Sequence, residues 1–75
     1  MVPPKRYRWL KVGDVNREYA LFELWDGEVQ LLDVGFSDEG TLEVCLNSST
    51  GGTIIDWTQL LTLLEVGRTL AERDR

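Results

Sequence analysis

Residues 18–47 read EYALFELWDGEVQLLDVGFSDEGTLEVCLN, and apolar side chains recur in this run at every second position. Alternation with a period of two is typical of a β-strand that buries one face. Two acidic-glycine pairs, Asp26-Gly27 and Glu39-Gly40, interrupt the alternation and favour tight turns. The run therefore predicts three antiparallel strands joined by two reversals.

The apolar residues of these strands share even numbers: Ala20, Phe22, Leu24, Leu32, Val34, Phe36, Leu42, Val44 and Leu46. A register shift of one residue would turn a whole strand over, so the loops must keep even positions opposite even positions. Three-residue loops at 25–27 and 38–40, each with a left-handed glycine, do so and are preferred to two-residue turns. They pair Ala20 with Leu32, and Val34 with Val44.

The flanking segments complete the predicted fold. Residues 5–12 have the aromatic content of a further strand, and their cations on both faces are typical of an edge strand. The two prolines favour an extended tail over 1–4. After a loop over 48–55, a capping-box pattern at Asp56 and Gln59 begins a helix over 56–73. The prediction is one α+β domain over 1–75, with an antiparallel meander of three to four strands (5–47) followed by one C-terminal helix packed on one sheet face.

The helix has one main apolar stripe, formed by Trp57, Leu60, Leu61, Leu64 and Ala71. Gly67 lies on this stripe, where glycine costs about 1 kcal/mol relative to alanine. A close approach of the helix backbone to the sheet would explain a glycine at this position.

Length and composition limit the classes of function that we expect for this chain. The chain has 75 residues, a net charge of −5, one cysteine and no histidine. A domain this small often needs a disulfide, a metal or oligomerisation, and Cys45 alone offers neither an internal disulfide nor a metal site. We therefore expect no metal and no cofactor, and we expect a homodimer. No apolar run approaches the length of a membrane span, so we expect a cytoplasmic protein that does not enter the membrane.

One helix cannot cover both faces of the sheet, and the surplus apolar residues predict an interface. They are Tyr19, Leu21, Trp25, Val29 and Leu31 on the odd face, with Leu63, Val66 and Leu70 on the outer helix face. Self-association through either set is the first hypothesis, and Leu21→Glu is expected to give a monomer. Alternatively, Tyr7 and Trp9 fold back over this surface, or a different protein binds it.

Catalytic chemistry is not expected. The absence of histidine removes the commonest general base, and Cys45 has no candidate base in its strand. The loop Ser48-Ser49-Thr50-Gly51-Gly52 lacks the Gly-Lys signature of phosphate-binding loops. We interpret the chain as a non-catalytic interaction module.

Two alternative functions depend on charged residues. A basic-aromatic strand formed by Lys5, Arg6, Arg8, Trp9 and Lys11 has the composition of a nucleic-acid-binding surface. Nucleic-acid binding is nevertheless unlikely, because the other residues hold all 13 acids. An acidic inhibitor or immunity-type protein would instead bind a basic protein partner through Asp26, Glu28, Asp38, Glu39 and Glu43.

Overall fold

The computed structural model describes residues 7–75, without the side chain of Thr50. It confirms the α+β meander. Four antiparallel strands follow one another in sequence order across a single sheet, and one helix packs on it. The elements are β1 (Tyr7–Val12), β2 (Leu21–Asp26), β3 (Val29–Phe36), β4 (Leu42–Leu46), a short 3-10 turn (Ser48–Thr50) and the helix α1 (Trp57–Asp74). The predicted tail over 1–4 and the start of the first strand at Lys5 and Arg6 lie outside the described residues.

The hairpin of β3 and β4 has the predicted loop. Ser37 N–H donates to the Thr41 carbonyl at 2.8 Å, which closes a three-residue loop over 38–40. Gly40 has a φ of 86°, the left-handed conformation that this loop requires. Val34 lies opposite Val44, as the parity argument predicts.

The hairpin of β2 and β3 differs from the prediction. Asp26 lies opposite Val29, so the turn has two residues, and Gly27 takes its positive φ of 60° at the first turn position. The register then shifts by one residue, because Trp25 lies opposite Gln30 while Leu24 lies opposite Leu32. The predicted pairing of Ala20 with Leu32 is therefore wrong. Leu31 is the extra residue of a β-bulge.

After the bulge, the even-numbered residues of β3 face the core again, and the extra residue Leu31 is added to the core. Leu31 and Leu32 are both buried on the side that carries the helix. The buried core consists of Phe22, Leu24, Leu31, Leu32, Val34, Phe36, Leu63 and Ala71. Every even position predicted for β2 and β3 is thus a core or partly buried position, whereas on β4 only Leu42 packs against the core.

The predicted stripe of the helix is confirmed only in part. Gly67 and Ala71 are buried and Leu64 packs against the core, but Trp57 and Leu61 are exposed and Leu63 is buried as well. The contact between Gly67 and Trp9 explains this orientation, since a Cβ at Gly67 would lie 2.6 Å from Cη2 of the indole ring. The predicted close approach of the helix backbone at Gly67 is confirmed, and the tryptophan of β1 is its partner.

The two ends of the helix fix its direction. At the C-terminal end, Lys11 forms a salt bridge with Asp74, and the Arg75 guanidinium lies 4.5 Å from the centre of the Phe36 ring. At the N-terminal end, Leu60 and Leu46 line the same groove. The helix therefore runs in the direction of β3, above β2 and β3, and leaves β4 uncovered.

Candidate functional site

Apolar side chains remain exposed along β4 and the start of the helix. We define the β4 surface by five of them, with exposed fractions of 48% for Val44, 72% for Leu46, 94% for Ile54, 75% for Trp57 and 48% for Leu61. Val44 and Leu46 lie on the core face of the sheet, directly opposite Val34 and Leu32. They are core positions that nothing in the described part of the chain covers.

A groove connects β4 to the helix. It has a volume of about 400 Å³, and Leu46, Ile55 and Leu60 contribute apolar walls. Ile55 and Leu60 stand one residue before and four residues after the N-cap Asp56, the two positions of a hydrophobic staple, and both are partly buried. The floor of the groove is formed by the core residues Leu31 and Leu32. The groove is thus an opening into the hydrophobic core.

Helical periodicity places Trp57 and Leu61 on the β4 side of the helix. About five helical turns separate Trp57 from Arg75, so the two residues project in the same direction. Arg75 contacts the ring of Phe36, and its guanidinium lies close to Gly40 in the turn before β4. Leu61 is one turn after Trp57 on that flank. Trp57 and Leu61 therefore lie on the flank of the helix that faces β4.

The β4 surface is almost free of charge. Residues 44–64 contain a single charged side chain, that of Asp56, although the chain as a whole holds 13 acids and eight cations. Asp56 is engaged at the start of the helix, where its carboxylate accepts a hydrogen bond from the Gln59 N–H at 3.0 Å. This surface therefore offers apolar area with no charge for long-range attraction.

The residues predicted for the odd-face interface do not form one patch. The bulge turns Leu31 into the core, and it places Val29 on the helix side at the tip of the hairpin. Tyr19 also lies on the helix side, in an edge-to-face contact with Phe36 at 6.1 Å between ring centres. Only Leu21 and Trp25 remain on the open face, so the predicted contiguous apolar patch is wrong.

The second predicted set, on the outer face of the helix, is also divided. Leu63 is a core residue and is not available to a partner. Leu70 is partly buried and lines a shallow surface groove beside the exposed Val66. The rotation of the helix toward Trp9 therefore buries Leu63, which the predicted stripe left outside.

The open face of the sheet carries charged residues among its apolar ones. The indole N–H of Trp25 donates to a Glu23 carboxylate oxygen at 3.1 Å, and the Arg8 guanidinium lies 5.7 Å from the centre of its ring. Glu23 faces Asp33 across the strands. Burial and, to a smaller extent, Glu23 raise the pKa of Asp33, while Arg17 opposes this shift. These charges make the open face a poor apolar interface.

The basic residues of the first strand are separated by the sheet. Arg8 lies on the open face against Trp25, whereas Lys11 is on the helix side with Asp74. Trp9 is held between the sheet and Gly67, and its indole N–H is buried with no hydrogen-bond partner among residues 7–75. Lys5 and Arg6 lie outside the described residues. The described part of this strand presents no surface on which bases could stack beside several cations.

The five acids considered for a basic protein partner lie in two groups. Asp26 ends β2 and Glu28 lies in the turn before β3, whereas Asp38 and Glu39 lie in the turn after it. A strand of this length separates the two groups by about 25 Å. Glu43 lies on β4, opposite Gly35. The five acids therefore do not form a single cluster.

Residues 7–75 contain no group of three or more histidine, cysteine, aspartate or glutamate side chains arranged to hold a metal ion. The described helix is not long and apolar enough to cross a membrane. Cys45 is a free, exposed thiol on β4. Protein-family models, curated proteins and solved structures were all compared with this chain, and none matches it.

Sequence reasoning assigned Val44, Leu46, Trp57 and Leu61 to the core and missed the surface that they form. Their hydrophobicity is compatible with a place in the core and with a place on an exposed interface. The absence of charge over residues 44–64 is the signal that could have identified them. Helices that lie on a domain surface normally carry charged residues on the outer face, and the first two turns of this helix carry none.

Proposed function

We propose that this protein is a non-catalytic protein–protein interaction module that self-associates through the β4 surface. The observation that carries the proposal is the exposure of Val44 and Leu46 on the core face of the sheet. Monomeric proteins seldom expose connected apolar surface beside an opening into the core. Trp57, which is largely exposed next to it, belongs to the residue type that most often dominates binding energy.

The proposed partner is a second copy of the chain, which meets the least charge repulsion at the β4 surface. The protein is acidic, with a net charge of −5, so two copies repel each other over most of their surfaces. The β4 surface is where this repulsion is weakest, because residues 44–64 carry only Asp56. A basic partner would instead be attracted to the acidic turns. The small size of the domain also makes added burial in a dimer valuable for stability.

We further propose a cytoplasmic location. The exposed free thiol of Cys45 supports it, because a reducing compartment keeps such a thiol unpaired.

The proposal is tested by a charge placed in the β4 surface. Leu46→Arg is expected to convert a dimer into a monomer in sedimentation equilibrium, because a cation would have to be desolvated inside the interface. Val15→Arg is the matched control, since Val15 is fully exposed in the turn between β1 and β2. Equal masses for the two variants, whether dimeric or monomeric, would contradict the proposal.

A further inference from the structure

Among residues 7–75, one edge of the β4 backbone has no pairing strand. The N–H of Asn47 donates to the Leu31 carbonyl at 3.0 Å, and the Thr41 carbonyl accepts from Ser37. Both residues thus bond inward to β3. Inward and outward bonding alternate along an antiparallel strand, so Glu43 and Cys45 also bond inward. The N–H and carbonyl groups of Leu42, Val44 and Leu46 therefore point outward, where β4 is the last strand of the sheet.

This edge lacks the features that usually prevent strands from pairing with other chains. Edge strands are commonly protected by lysine, arginine or proline. The opposite edge strand, β1, carries Arg8 and Lys11, and β4 has neither a cation nor a proline. Its one charged residue is Glu43, whose backbone bonds inward. The outward backbone groups belong to three apolar residues that lie on the core face.

We propose that two copies of this chain pair antiparallel through their β4 edges, with Val44 opposite Val44 of the second copy, to form one continuous eight-stranded sheet. The inference rests on the proposed function and specifies its geometry. Two-fold symmetry lets both edges be satisfied at once by the same residues. Each copy supplies the backbone donors and acceptors that the other lacks.

The register follows from charge and strand length. Centring on Val44 pairs Leu42 with Leu46 of the second copy and Glu43 with Cys45, and it uses all five residues of β4. Centring on Glu43 would place two carboxylates directly opposite each other, which is destabilising. Centring on Cys45 would leave only residues 44–46 paired. The Val44 register therefore gives the longest pairing without a like-charge contact.

Pairing in this register also covers the β4 surface. Val44 and Leu46 of both copies lie on the helix side of the joined sheet, where Trp57 and Leu61 of each copy border them. A standard interface buries about 800 Å² on each partner, which is about one seventh of the 5560 Å² accessible surface of this chain. A contact of that size would have to include the strand edge, the β4 surface and the groove together.

The first experiment removes one outward donor. Val44→Pro deletes the N–H that faces the second copy but no bond to β3, and proline is tolerated on an edge strand. Val44→Thr keeps the N–H and a similar shape. By sedimentation equilibrium, we expect the Thr variant to dimerise like the wild type and the Pro variant to be monomeric and folded. A dimeric Pro variant would overturn the strand pairing, whereas a monomeric wild type would overturn the proposed function as well.

The second experiment tests the register without disturbing the backbone. Val44→Cys in a Cys45→Ser background places the two thiols opposite each other, with Cα atoms about 5.5 Å apart, which is within the range for a disulfide. We expect mild oxidation to cross-link this variant into a covalent dimer. Leu10→Cys in the same background is the control on the opposite edge strand, where the exposed residue Leu10 lies. A dimer that cross-links through Leu10→Cys, or that does not cross-link through Val44→Cys, would overturn the proposed pairing while leaving self-association intact.

Discussion

Trp9 and Gly67 determine how the helix lies on the sheet. The indole ring of Trp9 occupies the space that any side chain at position 67 would need, because a Cβ there would be 2.6 Å from Cη2 and 2.9 Å from Cζ2. Glycine is unfavourable in the middle of a helix, so its presence here is explained by this contact. The contact turns Leu63 inward and leaves Trp57 outside.

Gly67→Ala adds a single methyl group and tests whether Trp9 occupies this space. Overpacking typically costs about 1–3 kcal/mol, and it is offset by about 1 kcal/mol of improved helix propensity. We expect a net loss of stability of about 1 kcal/mol in urea unfolding. Gly13→Ala is the control, because no heavy atom lies within 4 Å of its Cβ position. A stabilised Gly67→Ala variant would show that Trp9 does not occupy this space.

Asp33 makes stability depend on pH. Its pKa is raised, chiefly by burial and then by Glu23, so folding favours the neutral carboxyl. This contribution is complete below the usual aspartate pKa and is lost as the pH rises through the raised value. We therefore expect Asp33→Asn to be more stable than the wild type at pH 7, with the difference shrinking at pH 3.

Urea unfolding at the two pH values measures this effect. Glu39→Gln, in the exposed turn before β4, controls for the loss of one negative charge. An Asp33→Asn variant whose advantage over the wild type is the same at both pH values would contradict the role of the carboxyl.

At the scale of the secondary-structure elements, the helix begins at a side-chain cap. Asp56 accepts a hydrogen bond from the Gln59 N–H at 3.0 Å. Replacing such a cap by alanine costs about 1 kcal/mol, and we expect this loss for Asp56→Ala in urea unfolding. Asp56→Asn keeps an accepting oxygen and is expected to lose much less. Equal losses would show that the charge matters and the hydrogen bond does not.

The bulge in β3 makes a second prediction for the elements. Leu31 is buried, whereas Val29 in the same strand is about half exposed, at 48%. Truncating a buried leucine to alanine costs about 2–5 kcal/mol, while exposed positions usually change stability by less than about 0.5 kcal/mol. We expect Leu31→Ala to be far more destabilising than Val29→Ala. Similar losses at the two positions would contradict the bulge.

The two hairpins that β3 forms, with β2 and with β4, show what the sequence could and could not predict. Even-numbered apolar residues and the Asp38-Glu39-Gly40 loop predict the register of β3 and β4, because alternation and loop length agree there. In the hairpin of β2 and β3, Leu31 and Leu32 are adjacent leucines, so alternation cannot show which of them is the extra residue. The predicted odd-face interface depended on that choice, and the bulge removed two of its five residues from the open face.

The helix was predicted in extent but its rotation only in part, since Ala71 is buried as expected and Trp57 is not. Its start at Asp56 follows from capping chemistry, which depends on neighbouring residues alone. Its rotation depends on the contact with Trp9, a residue of the first strand, and no local pattern reports such a contact. The β4 surface is a consequence of that rotation and of a helix too narrow to cover four strands.

At the scale of the whole molecule, residues 7–75 form a four-stranded sheet with a helix over its middle strands, and the apolar edge at β4 has no pairing strand among them. We expect that edge to join two copies, and because the contact is apolar, added salt should not weaken it. Attraction between oppositely charged surfaces would instead fade with salt.

Light scattering behind a sizing column, with the wild type at micromolar concentration in low and high salt, measures this directly. The account predicts a mass of twice the 8.6 kDa of one chain in both conditions. A mass of one chain in both, or a dimer that dissociates in high salt, would contradict it.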